Sequence, residues 1–106
     1  MIDPIFYGDG YPTLDTVEAI IHWPETDAAG FFDFIRRAWR NDYGSVRVAN
    51  GWLRFTTGGW SGNEAIAFAL VQNPMGSSAY WESSQTLIVE RLSLSKYHYH
   101  ENPRST

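Results

Sequence analysis

Ser45-Val46-Arg47-Val48-Ala49, then Asn50-Gly51, then Trp52-Leu53-Arg54-Phe55-Thr56: two alternating runs meet at an Asn-Gly pair. Asn and Gly tolerate the positive φ angles that a two-residue turn between twisted strands requires, so the stretch predicts a β-hairpin. Such a loop pairs Ala49 with Trp52, Val48 with Leu53 and Arg47 with Arg54. Side chains alternate across a strand, so Val46, Val48, Leu53 and Phe55 share the core face. Arg47, Trp52 and Arg54 share the other face, where two directly opposed arginines repel each other mildly.

Upstream of the hairpin the period becomes helical. Thr13 or Asp15 can cap a helix in which Leu14, Val17 and Ile21 recur at i, i+3 and i+7. Trp23-Pro24 ends it, because the residue before proline avoids the α region. A second helix starts near Thr26-Asp27 and runs to about Arg40. Phe31, Phe34, Ile35, Ala38 and Trp39 form its apolar stripe, and Asp33, Arg36, Arg37 and Arg40 its polar face. Asn41-Asp42-Tyr43-Gly44 closes this helical pair, and residues 1–12 read as an irregular lead-in rich in Gly, Pro and Asp.

Downstream, Thr57-Gly58-Gly59 leads into a third helix over 61–73. Ser61 followed by Glu64 has the spacing of a capping box, with Trp60 preceding it as the hydrophobic flank. Residues 65–71 are apolar nearly all round, which suits a helix packed on more than one side. Asn73-Pro74 ends it; residues 75–85 read as turns around Tyr80-Trp81, and 87–95 as a last strand. Residues 101–106 read as a frayed tail. The expected fold is therefore one α+β domain over 1–106. Three helices, near 14–22, 27–40 and 61–73, pack on a small antiparallel sheet of 45–49, 52–57 and 87–95.

Composition narrows the classes. The chain has 106 residues and no cysteine, so disulfides and thiolate zinc sites are excluded. No apolar run reaches the ~18 residues that span a bilayer, and the N-terminus has no basic run of a signal peptide. The protein is thus expected to stay where it is made, with no membrane partner. A net charge of −4 argues against general nucleic-acid binding, which rests on neutralising phosphates. The charge is divided: residues 1–35 hold seven acids and no Lys or Arg, whereas 36–54 hold five arginines and one acid. Seventeen aromatics, five of them Trp, are many for one small core; Trp and Tyr also anchor interfaces, and a homo-oligomer is compatible with them.

Thr57-Gly58-Gly59-Trp60-Ser61-Gly62-Asn63-Glu64, continuing to Ala69-Leu70, resembles a TGGWSGNE signature of small proteins encoded by phages and prophages. The Trp23-Pro24-x-Thr26-Asp27 stretch and the aromatic-rich helix ending at Trp39 are similar too. The resemblance covers about residues 14–73. Beyond it the chain departs: Tyr80-Trp81-Glu82-Ser83-Ser84 is similar to a Trp-containing stretch of the group, but the group's RRGGHY strand is absent. The resemblance implies a phage context, hence the cytoplasm of a bacterial host, and carries no established activity.

Two sites stand out. Gly58, Gly59, Trp60, Ser61 and Asn63 precede or open a helix, where free amides and the macrodipole favour an anion. The loop lacks the Walker lysine and the GxGxxG spacing, and a tight strand-to-helix turn, with Ser61 and Glu64 already satisfying two of the free amides, is the simpler reading. The other is a basic–aromatic patch for an acidic partner: Arg47, Trp52 and Arg54 on the hairpin, with Arg36, Arg37 and Arg40 on the preceding helix. Its alternative is that the acidic lead-in covers these arginines. His98 and His100, at i and i+2, are too few for zinc, and no metal or cofactor is expected. Gly59-Trp60-Ser61-Gly62 falls one residue short of a nucleophile elbow, and no catalytic residue is assigned. The expected function is that of an accessory protein binding a host protein or nucleoprotein, as an anti-CRISPR-type inhibitor of host defence does. The alternative is a small-ligand or nucleotide-related module using the glycine loop.

Overall fold

The Asn-Gly hairpin forms in the expected register. In the computed structural model, which describes residues 2–49 and 51–97, β1 (Ser45–Ala49) pairs antiparallel with β2 (Trp52–Thr56), Ala49 opposite Trp52 and Arg47 opposite Arg54. Asn50 lies outside the described residues; Gly51 has φ +88°, the conformation for which the turn selects glycine. Met1 and residues 98–106, with His98, His100 and the tail, also lie outside them.

Two helices precede the hairpin, α1 (Leu14–Ile21) and α2 (Ala28–Ala38), and α3 (Ser61–Gln72) follows it. Thr13 caps α1, its hydroxyl accepting from Thr16 N at 3.3 Å. Asp27 caps α2, accepting from Gly30 N at 3.1 Å. The stripe on α2 is buried, and Phe32 joins it, edge-on to Phe31 at 4.8 Å between ring centroids. Buried residues of all three helices form one core with Leu53, Phe55, Leu87 and Val89 of the sheet, so the helices lie on one face of it.

The C-terminal third corrects the expectation. The sheet has four strands in the order β1-β2-β4-β3, where β3 is Tyr80–Ser83 and β4 is Thr86–Glu90. Tyr80-Trp81, expected in a turn, starts an edge strand paired with β4, irregular between Trp81 and Ser83. The last strand, expected over 87–95, ends at Glu90, and Arg91–Tyr97 form a 3-10 helix. The Ser93 hydroxyl donates to Glu90 O at 2.6 Å; such local side-chain bonds compete with a sheet ladder. Leu94 then returns to the core. Leu87, Ile88 and Val89 are all buried, as suits a central strand: Leu87 and Val89 face the helices, and Ile88 lies on the outer face between Arg54 and Tyr80 in register.

The capping box does not form. Trp60 occupies the cap position of α3, Ser61 is its first helical residue, and no side chain caps it. The Ser61 hydroxyl instead meets the Tyr11 hydroxyl at 2.6 Å. The Thr57 hydroxyl serves the turn in its place, accepting from Gly59 N at 3.1 Å.

Two buried asparagines tie the elements together. Asn63 accepts from Arg40 N at 2.9 Å and donates to Arg40 O and Thr57 O, joining the end of α2 to the start of α3. Asn73 donates to the carbonyls of Ile20, Ile21 and Trp23 at 3.0–3.1 Å and accepts from Met75 N. One side chain thereby serves carbonyls at and just beyond the end of α1, the Ile20 carbonyl also accepting from Trp23 N at 3.4 Å.

Candidate interaction face

The five arginines and the tryptophan singled out in the sequence do not form one surface. Arg37 is held by Asp33 at 2.9 Å and by Asp3 at 2.6 Å, so the acidic lead-in does reach the arginine-rich segment, but on α2 and not on the hairpin. Arg40 pairs with Asp42 at 2.9 Å, and its guanidinium lies so close to Gly10 that a Cβ there would overlap it. Arg36 is half-buried and makes a contact of its own. Arg37 and Arg40 thus belong to the fold's own electrostatics, and Arg40, expected in the second helix, lies beyond its end at Ala38.

Arg47, Arg54 and Trp52 remain together on the outer face of the sheet, opposite the helices. Arg54 reaches across the sheet to Glu82 of β3 at 2.8 Å. Arg47 is exposed and has no ion pair among the described residues. The two guanidiniums line a shallow depression of about 270 Å³ whose other walls are Ser45 and Thr56, opposed in the register one step along. Trp52 and Glu90, also opposed, flank the arginine row on its other side. The face therefore carries two arginines and two glutamates. It is polar, aromatic and nearly balanced in charge, and Arg47 is its cation without an ion pair among the described residues.

The glycine loop is spent on the fold. Gly58 has φ +68° and runs against the backbone of Tyr43, leaving no room for a Cβ. Gly59 has φ +77°, and its N–H and that of Trp60 both donate inward to Thr57. The Trp60 indole lies so close over Gly62 that a Cβ there would overlap the ring. It stacks on Tyr43 at 4.7 Å and leans on Tyr11 at 4.8 Å. Asn63 is fully buried. The signature stretch thus packs a tryptophan over its own backbone and locks helix to hairpin, and two of the amides a ligand would need are occupied.

Among the described residues, no group of three His, Cys, Asp or Glu is placed to hold a metal ion. None of the helices there is long and apolar enough to cross a membrane. No family model, curated protein or solved structure matches the chain.

Sequence reasoning missed one feature. A concavity of about 730 Å³ lies where α1 ends and α2 begins, with Trp23 as one wall. Ala19, Ala29 and Gly30 of its lining are visible in the sequence only as small residues at helix positions, a weak signal until the two helices are set side by side.

Proposed function

We propose that the protein acts by binding, docking the outer face of its sheet on a carboxylate-bearing surface of a host protein. The observation that carries this reading is the direct opposition of Arg47 and Arg54 beside Trp52, away from the helices, with Arg47 in no ion pair among the described residues. Like charges opposed across a ladder cost stability, and a carboxylate supplied by a partner relieves that cost. Arginine suits the task because its planar fork engages a carboxylate at two points, and tryptophan beside it supplies the apolar contact of an interface hot spot. Glu82 then acts as a stand-in that holds Arg54 ready and yields to the partner's carboxylate.

The resemblance to phage-encoded proteins supports a bacterial host as the setting and the cytoplasm as the place. There, a small domain that occludes a working surface of a defence protein acts as an inhibitor without chemistry of its own. The test is capture from a bacterial host lysate by the immobilised protein, compared with R47A/R54A. The wild-type protein retains a discrete host protein, nuclease treatment does not release it, and added salt weakens it. The double variant retains at least tenfold less. Equal capture by both proteins moves the interface to another face.

A further inference from the structure

We propose that the cavity between the end of α1 and the start of α2 is a binding site for a small organic ammonium ion carrying an apolar body. The cavity, about 730 Å³, has the size of a site for a drug-like ligand. Ile2, Ala19, Pro24 and Ala29 give it apolar walls, and Trp23 gives it an aromatic one. The Trp23 indole N–H donates to Asp27 Oδ2 at 3.1 Å, and the indole leans on Phe34 at 4.9 Å, so ring and carboxylate are fixed side by side.

The sign of the site follows from its charges. Asp27, Asp33 and Arg37 line it. Arg37 is shared between Asp33 and Asp3, so the one lining cation is already neutralised. Asp27 accepts only from neutral donors, the Trp23 indole and Gly30 N, and has no ion pair among the described residues. The negative end of α1, which has no basic residue in its last turn, and the positive end of α2 meet here and offset each other. His22 also lines the cavity and lies 3.1 Å from Glu18. A carboxylate with no ion pair among the described residues attracts an ammonium through its charge, and the aromatic ring beside it attracts one placed over its face. The apolar walls hold the rest of the molecule. The site lies on the helical side of the protein, away from the sheet's outer face, and is independent of the protein-binding role.

The experiment is an NMR titration of the 15N-labelled protein with phenethylammonium and, separately, with 3-phenylpropionate, which has the same apolar body and the opposite charge. The ammonium is expected to shift the Trp23 indole N–H saturably, with an affinity at least tenfold above that of the carboxylate. Asp27→Asn, which keeps a good helix cap, is expected to erase that preference. Equal affinities for the two probes, shifts confined to residues outside the cavity, absence of binding by either probe at 10-millimolar-order concentration, or a preference unchanged in Asp27→Asn overturns the proposal. Should Asp27→Asn fail to fold, Asp33→Asn and the two-probe contrast on the native chain decide it.

Discussion

Asn73→Ala is expected to lower the stability of the protein by about 3 kcal/mol, because each buried polar group left without a partner costs about 1–3 kcal/mol. The side chain is fully buried and spans four backbone groups: the carbonyls of Ile20, Ile21 and Trp23, and the Met75 N–H. Alanine removes this partner from all four, the Ile20 carbonyl keeping only its long bond from Trp23 N at 3.4 Å, and opens a small cavity between the ends of α1 and α3. Water reaching the less buried carbonyls of Ile21 and Trp23 reduces the loss, which keeps it below the sum of four full penalties. Against a total stability of about 5–15 kcal/mol for a domain, this is a large fraction. Urea denaturation measures it as a lower midpoint at unchanged slope. A loss under about 1 kcal/mol would mean that α1 is held by apolar packing alone.

Gly58→Ala is expected to cost about as much by a different route. Gly58 has φ +68°, and a Cβ there would overlap the carbonyl group of Tyr43, which is backbone and cannot swing aside. The hairpin start and the α3 entry would have to part, disturbing the Trp60–Tyr43 stack and the Asn63 bonds that join the same segments. Gly51→Ala is the control. It has φ +88° with nothing among the described residues within 4 Å of the added atom, so it carries the conformational cost alone, about 1 kcal/mol. The difference between the two midpoints measures the overlap at Gly58. Equal losses would show that the Tyr43 contact yields without cost.

How much of this was legible in the sequence follows from where the signals are local. The hairpin register needed only Asn-Gly and two alternating runs, and it came out residue for residue. α1 and α2 were legible because their caps, Thr13 and Asp27, and their apolar spacing lie within a few residues of each other. Tyr80-Trp81 was not, because a four-residue edge strand with every residue exposed has no burial pattern to betray it. The end of β4 was misplaced because Leu92 and Leu94 continue an apolar-looking run, whereas the Ser93 hydroxyl turns the backbone at Glu90. Ser61 and Glu64 had the right spacing for a capping box, but the stacking of Trp60 on Tyr43 and Tyr11 sets the helix start, and those partners lie 17 and 49 residues away along the chain. The arginine patch was half legible for the same reason. Strand alternation placed Arg47, Trp52 and Arg54 together, while only the folded chain brings Asp3 to Arg37 and Glu82 to Arg54.

The central claim is that Arg47 and Arg54 serve a partner and not the fold, and the equilibrium stability of R47A/R54A tests it most directly. Removing Arg47 relieves the repulsion across the ladder, and removing Arg54 gives up an exposed pair with Glu82, worth about 0–1 kcal/mol. The two changes nearly cancel, so the urea midpoint is predicted to hold or rise, within about 0.5 kcal/mol of the wild-type protein. A loss of about 2 kcal/mol or more, the size reserved for buried or networked groups, would contradict the account and make the arginines part of the scaffold.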